Sequence, residues 1–390
     1  MLSQTAQPFA LCFLLFAAGA GAASPTLRAI DPPAGPGSMG PSLLRLGDGL
    51  ALTWLEPLDA ADRAKGHALR FSRLSQGSWS PPATIASGTG FFANWADFPG
   101  LGVGKDGTLF AHWLEMTGPD TYAYAVKLAR SADGGATWKS AGILHGDGVD
   151  AEHGFVSWVG DRAFWLDGRE MPKGGAMALR TRLPDGAEEV LDPRVCECCQ
   201  TDAAKTDTGT IVVYRDRSDE EVRDIYAVRS TGSGWSAPAR VAADDWQIPG
   251  CPVNGPAVAA QGKKVVVAWF TGGDPKPRVQ LAFSEDGGVT FGKPQLIDGD
   301  QPMGRVDVVL DEKGDTWVAW IAKNESGAVV QLRRATPTGE PGPPLKVAAT
   351  SAERASGFPR MARLGNEIFV AWVEAGTPSR VHVTAVTLSE

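Results

Sequence analysis

The chain has 390 residues, a formal net charge of −8, 43% hydrophobic residues and only 21% charged ones. That acidic balance offers no basic stripe to neutralise phosphates, which excludes nucleic acid as a partner. Its 47 Gly and 28 Pro indicate many short strands joined by tight turns, and no segment carries the apolar period of a long amphipathic helix.

At the start, the apolar run Leu11 to Ala18 leads into Gly19-Ala20-Gly21-Ala22-Ala23, an Ala-x-Ala type cleavage pattern before Ala23 or Ser24. Residues 1–23 therefore read as a secretory signal peptide, with the departure that no Lys or Arg occurs in the first 27 residues. The run is too short to span hydrocarbon. The mature chain, 24–390, is expected to be a periplasmic or secreted monomer with no membrane span. Thr26 to Ile30 follows as an isolated short strand.

From there one unit recurs: an alternating apolar strand, a polar or Gly turn, then a run of β-formers closing on an aromatic residue. The closing residues are Trp54, Trp113, Trp165, Tyr214, Trp269, Trp320 and Trp372, spaced 59, 52, 49, 55, 51 and 52 residues apart. That period is one four-stranded propeller blade. The prediction is an all-β, single seven-bladed propeller with blades near 37–88, 92–147, 152–193, 196–245, 251–299, 304–350 and 357–390. The last repeat has only three strands, so the 26–30 strand is expected to close the ring and remove the exposed sheet edges. The aromatics are expected to fill the gaps between blades.

Two turns are more specific: Ser131-Ala132-Asp133-Gly134-Gly135-Ala136-Thr137-Trp138 and Ser284-Glu285-Asp286-Gly287-Gly288-Val289-Thr290-Phe291. Both fit S-x-D-G-G-x-T-[WF], in which the Asp accepts from turn amides and the glycines permit positive φ. Degenerate copies end at Trp79 and Trp235. On these Asp-boxes the chain resembles the sialidase-like, BNR-repeat propellers over nearly its whole mature length.

In a propeller the loop entering each innermost strand and the loop after the second strand share one face. Here that face collects the carboxylates Asp97, Glu152 and Glu221 as candidates for acid–base work. Arg215, Arg223, Arg305, Arg360, Arg169, Asn254 and His153 join them as candidate ligand-binding groups. A Glu or Asp two residues after the aromatic recurs in five blades, at Glu56, Glu115, Asp167, Asp216 and Glu374, and such repetition points to structure. Cys196, Cys198 and Cys199 open the fourth blade and Cys251 the fifth, so the two loops should meet. They make either disulfides or a soft-metal site for Cu or Zn that His153 would complete.

The resemblance implies a carbohydrate or anionic ligand, three arginines on a sugar carboxylate (Arg305, Arg360 and one of Arg215 or Arg223), and no required cofactor. It also implies an exo-sialidase chemistry with a Glu-activated Tyr nucleophile and an Asp acid/base. The match to that chemistry is incomplete. No Arg-Ile-Pro motif stands near the first blade, the sialidase ring has six blades, and Phe358 opens the last blade although tyrosines occur at 122, 124, 214 and 226. Other readings are a periplasmic metal-binding protein and a non-catalytic interaction scaffold.

Overall fold

The computed structural model describes residues 25–388; the expected leader, 1–23, lies outside them. Seven antiparallel sheets surround one axis. Their innermost strands are Met39–Leu46, Gly100–Val103, His153–Val159, Asp202–Thr206, Ala257–Gln261, Pro302–Leu310 and Arg360–Leu364, numbered here as blades 1 to 7. Neighbouring innermost strands touch all the way round, the last against the first included. Blade 7 has three strands of its own, and Thr26–Ala29 supplies a fourth, antiparallel to Arg380–Thr387 with Thr26 opposite Thr387 and Ala29 opposite Thr384. Among the described residues the only helical segments are the 3-10 turns Arg63–Lys65, Met171–Lys173 and Arg354–Ser356. No described helix is long and apolar enough to cross a membrane.

Sheets buried on both faces need near-continuous apolar strands. The second strands supply them, as in Leu50 to Trp54, Ile211 to Tyr214 and Val265 to Trp269. The core is accordingly divided into separate apolar clusters, one in each of the seven gaps between neighbouring blades. Trp54, Trp165, Tyr214, Trp269 and Trp320 lie in these gaps, all at most 1% exposed.

A buried indole N–H or phenol O–H needs an acceptor. In blades 1 to 3 it is the acid two residues on: Trp54 donates to Glu56 at 3.1 Å, Trp113 to Glu115 at 3.4 Å and Trp165 to Asp167 at 2.8 Å. In blades 4 to 6 it is an acid at the end of the preceding blade: Tyr214 donates to Asp192, Trp269 to Asp244 and Trp320 to Asp298, each at 2.6 Å. The recurrent acids are thus packing partners where they contact the aromatic, and the later blades move the same task to a neighbour. Trp372 differs: half-buried, it stacks on His382 at 4.8 Å and donates to Thr384.

Both Asp-boxes fold as their residues dictate. Ser131 donates to Asp133, the Gly135 amide donates back to Ser131 Oγ, and Thr137 N–H and O–H both donate to Asp133, at 2.6 to 2.9 Å. Ser284, Asp286, Gly288 and Thr290 repeat the pattern. Hydrogen bonds led by the threonine hydroxyl hold the Asp133 and Asp286 carboxyls down at about 2. Gly135 has φ of 95°, and a Cβ there would lie 2.2 Å from the Phe71 ring of blade 1. Only glycine fits. The same ring meets Trp138 edge-on at 5.5 Å, so the box fastens blade 2 to blade 1.

Deleting residues up to Ile30 should lower the thermal midpoint. It unpairs the outer edge of Arg380–Thr387 and removes the Ile30 carbonyl that accepts from Trp79 Nε1 at 2.8 Å. A midpoint equal to that of the chain beginning at residue 24 would show that the closing strand does no structural work.

Candidate functional site

The entry loops of all blades converge on the axis, and there one blade's side chain repeatedly caps the next blade's backbone. Both Asp97 oxygens accept from the Phe155 amide, at 2.8 and 2.9 Å, and Asn254 Oδ1 accepts from the Arg305 amide at 2.6 Å. Asp202 accepts from Val258 N and Asp307 from Met361 N. Phe155 and Arg305 carry positive φ, 53° and 58°, at register shifts in their strands. Such backbone is uncommon for non-glycine residues and persists where surrounding contacts over-determine it. Asp97 is therefore not available for acid–base work: it is 3% exposed, and burial pushes its carboxyl well above the ordinary range while the Phe155 amide pulls the other way. Asn254 is likewise a joint between blades 5 and 6.

The loop around Trp95 lies across the axis. Gln200 of blade 4 donates to the Ala96 carbonyl at 2.6 Å, and the Trp95 ring stacks on Phe358 of blade 7 at 5.9 Å. Arg305 of blade 6 sits over that ring at 4.8 Å and Arg354 at 6.0 Å.

The structure does not bring the sequence-predicted arginines to one pocket, because each guanidinium has its own partners. Arg215, 1% exposed, donates to the carbonyls of Asn254, Arg223 and Phe270 and lies over Trp246 at 4.9 Å. Arg360 lies 3.5 Å from Asp307 and over Phe98. Arg223 donates to Glu197, Glu221 and the Cys196 sulfur, at 2.9, 2.8 and 3.1 Å. Arg217 closes the group on Glu197 and Glu221. Glu221 is thus a counter-ion rather than an acid catalyst; hydrogen bonds from Arg217 and Arg223 hold its carboxyl below the usual range.

The thiols do converge. The Cys196 amide donates to the Arg215 carbonyl at 3.0 Å, which seats the turn beside the second strand of blade 4. Cys196 Sγ lies 3.3 Å from Cys199 Sγ and 3.9 Å from Cys198 Sγ, the three forming one group within 4.8 Å, while the exposed Cys251 of blade 5 stands outside that group. No disulfide joins any of the four in this structure: a bond needs about 2.05 Å, and Cys196 Sγ stands outside that reach of both Cys198 and Cys199. Burial opposes ionisation of Cys196, yet hydrogen bonds from Cys198 and Cys199 and the Arg223 charge bring its thiol well below the ordinary range. Cys199 is pushed up to about 12 by burial.

His153 takes no part in this cluster. Fully buried, it contacts Asp147 through Nε2 at 2.9 Å and the Ala151 carbonyl through Nδ1 at 3.0 Å, and its ring stacks on His145 at 3.6 Å. Arg169 joins Asp147, Asp167 and Glu188 at 2.6 to 2.9 Å. The trio His145, Asp147 and His153 has a metal-ligand composition, but the guanidinium already supplies the cation those acids need. Burial first, and then the charge of His153, hold His145 down at about 4. Sequence reasoning missed His145, Asp147 and Glu188, since nothing in their spacing marks them.

Glu152 accepts from the Tyr124 hydroxyl at 2.8 Å. This is a Tyr–Glu pair, but Tyr124 is 1% exposed and burial raises its hydroxyl pKa strongly, so it presents no nucleophile to solvent. Burial also pushes Glu152 up to about 7.

No protein-family model matches the sequence, and no curated protein matches it. Solved structures do match. A protein of unknown function from Dyadobacter fermentans has a TM-score of 0.55 at 15% identity, covering 93% of this chain and 99% of its own. The alpha-L-arabinanase of Penicillium chrysogenum, complexed with arabinobiose, gives 0.51 at 15% identity over 94% and 98%. The polysaccharide lyase Uly1 gives 0.53 at 9% identity over 90% of each chain. At 9 to 15% identity these likenesses are of the propeller fold alone.

Glu152 sets a pH dependence. Unfolded, it loses its proton near the ordinary 4.5; folded, it keeps it to about 7. Across that window the native state binds more protons, so stability falls as pH rises. Glu152→Gln keeps an acceptor for Tyr124 and cannot ionise, so it should reduce the loss of urea midpoint between about pH 5 and about pH 7.5. Asp202 and Asp216, each pushed up to about 6 by burial, titrate in the same window and leave a residual slope. Equal slopes for variant and parent would remove Glu152 from this account.

Proposed function

We propose that the propeller binds an anionic carbohydrate over its axial mouth and does not hydrolyse it. The observation that carries this reading is the pair Arg305 and Arg354 on Trp95. Among the described residues neither guanidinium has a carboxylate partner; Arg305 donates only to the Glu353 and Gly357 carbonyls and to Ser356 Oγ. Burial and then the Arg354 charge bring Arg305 down to about 10, the direction expected of a cation without a counter-ion. A sugar carboxylate can meet the exposed Arg354 guanidinium beside the Trp95 ring, with the buried Arg305 charge behind it.

The fold supports the substrate class, since two structural neighbours are named for action on saccharides. The chemistry of the face argues against hydrolysis. Hydrolysis needs an acid and a base or nucleophile that are both open to one reacting bond. Here Asp97 is bound to an amide, Glu221 to two arginines and Glu152 to a buried tyrosine.

Titration calorimetry with sialate- or uronate-terminated oligosaccharides and their neutral counterparts tests this. Arg354→Ala, at an exposed residue whose side chain makes no hydrogen bond, should weaken the acidic ligand by about 1.5 to 3 kcal/mol, the range for charged hydrogen bonds, and leave neutral sugars unchanged. Equal binding of acidic and neutral sugars, or an Arg354→Ala variant that binds as the parent does, would end the proposal. A fluorogenic sialoside should give no turnover; turnover abolished by Glu152→Gln would restore the hydrolase reading.

A further inference from the structure

We infer that Cys196, Cys198, Cys199 and Cys251 form a site for one thiophilic d10 cation, Zn(II) or Cu(I), that joins blade 4 to blade 5. This goes beyond carbohydrate recognition and rests on different residues. The first argument is distance. Four sulfurs at about 2.3 Å from one tetrahedral ion stand about 3.8 Å apart. Cys196 Sγ lies 3.3 and 3.9 Å from its two neighbours, and one ligand atom from each of the three lies within 4.8 Å of the others. These separations are too long for a disulfide and close to those of a shared ion.

The second argument is what surrounds the sulfurs. Arg223 Nη1 donates to Cys196 Sγ at 3.1 Å, and hydrogen bonds to metal-bound sulfur are the usual outer support of thiolate sites. Arg215, whose carbonyl accepts from the Cys196 amide, carries a buried guanidinium with only carbonyl acceptors and no carboxylate. A metal held by three or four thiolates is net negative, and that charge would balance a buried cation that nothing else in its contacts balances. The oxygen ligands that would recruit Mg or Ca are missing from the cluster itself: Glu197, the nearest carboxylate in sequence, is held by Arg217 and Arg223.

The third argument is position. Cys196 and Cys199 are buried and fixed by the antiparallel bridge of Val195 to Asp216, so two ligands are preset. Cys251 is exposed on the next blade, outside the group of three, but its loop is tied to Gln200, the neighbour of Cys199, through the Gly255 amide at 3.0 Å, so it can close over an ion that has entered from solvent. Binding releases the thiol protons to water and transfers no electrons.

The full mature chain, reduced and freed of metal, should take up one equivalent of Zn(II) or of Cu(I). Competition against chromogenic chelators selective for each ion separates the two, and the bound ion should shield the thiols from an aromatic disulfide reagent. Cys196→Ser and Cys199→Ser should abolish uptake. Cys251→Ser, an exposed change that will fold, should weaken it at least about tenfold. Either of two results overturns the inference: a native chain whose denatured form shows no free thiol until reduced, or a reduced chain that binds neither ion stoichiometrically. An affinity unchanged by Cys251→Ser overturns the four-ligand site. Arg354→Ala should leave metal uptake intact, and in the metal-free protein Cys251→Ser should leave acidic sugar binding intact, so each idea fails separately.

Discussion

A four-stranded sheet that is apolar on both faces can be buried only between two others like it, and the series ends only when it closes on itself. That constraint governs this chain. Seven sheets give seven gaps, each with its own core cluster, and the gap between blades 7 and 1 is filled like the others, with Ile30 packed against it beyond the strand Thr26–Ala29 that completes the last sheet. Closure also drives every entry loop to the axis, where backbone amides would be stranded without partners. Asp97, Asp202, Asn254 and Asp307 are the answer, each capping an amide of the following blade. Much of the polar chemistry crowded at the centre is therefore the cost of closing the ring.

This explains which parts of the molecule were legible in the sequence. Blade number, the closing strand and the Asp-boxes are set by local periodicity and turn chemistry, and the aromatic at the end of each second strand marks the period directly. That the Cys251 loop lies beside the Cys196 to Cys199 turn follows from the similar lengths of neighbouring blades. The roles of the arginines did not follow. A sequence shows that Arg215 stands on the axial face but not that three carbonyls wait for it there. Asp97 and Asn254 have the composition of catalytic and binding residues, and only their register opposite Phe155 and Arg305 reveals them as joints. The indole acceptors Asp192, Asp244 and Asp298 were equally hidden, since each serves a blade other than its own.

The guanidinium groups show how burial sorts one residue type into different tasks. Arginine cannot lose its charge, so a buried one must find donors' worth of acceptors or a counter-ion. Arg169 and Arg223 find carboxylates and become parts of networks. Arg215 finds carbonyls, which satisfy its hydrogen bonds but not its charge. Arg305 is in the same condition beside an exposed Arg354 that repels it. The uncompensated positive charge on this face is thus concentrated at two places, one beneath the thiols and one at Trp95, and these are the places where an anionic ligand or a thiolate centre gains most.

The two places are also mechanically joined. Trp95 and Cys198 pack against the same apolar cluster, which includes Val195 and Phe358. Gln200, next to Cys199 in the chain, holds the Ala96 carbonyl through Nε2 and the Gly255 amide through Oε1. One buried amide therefore ties the thiol turn to the Trp95 loop on one side and to the Cys251 loop on the other. An ion that fixed the thiols would fix Gln200, and with it the ring on which Arg305 and Arg354 rest. Its effect on sugar binding would then be to remove motion from a surface already in place, a saving in conformational entropy with no new contact.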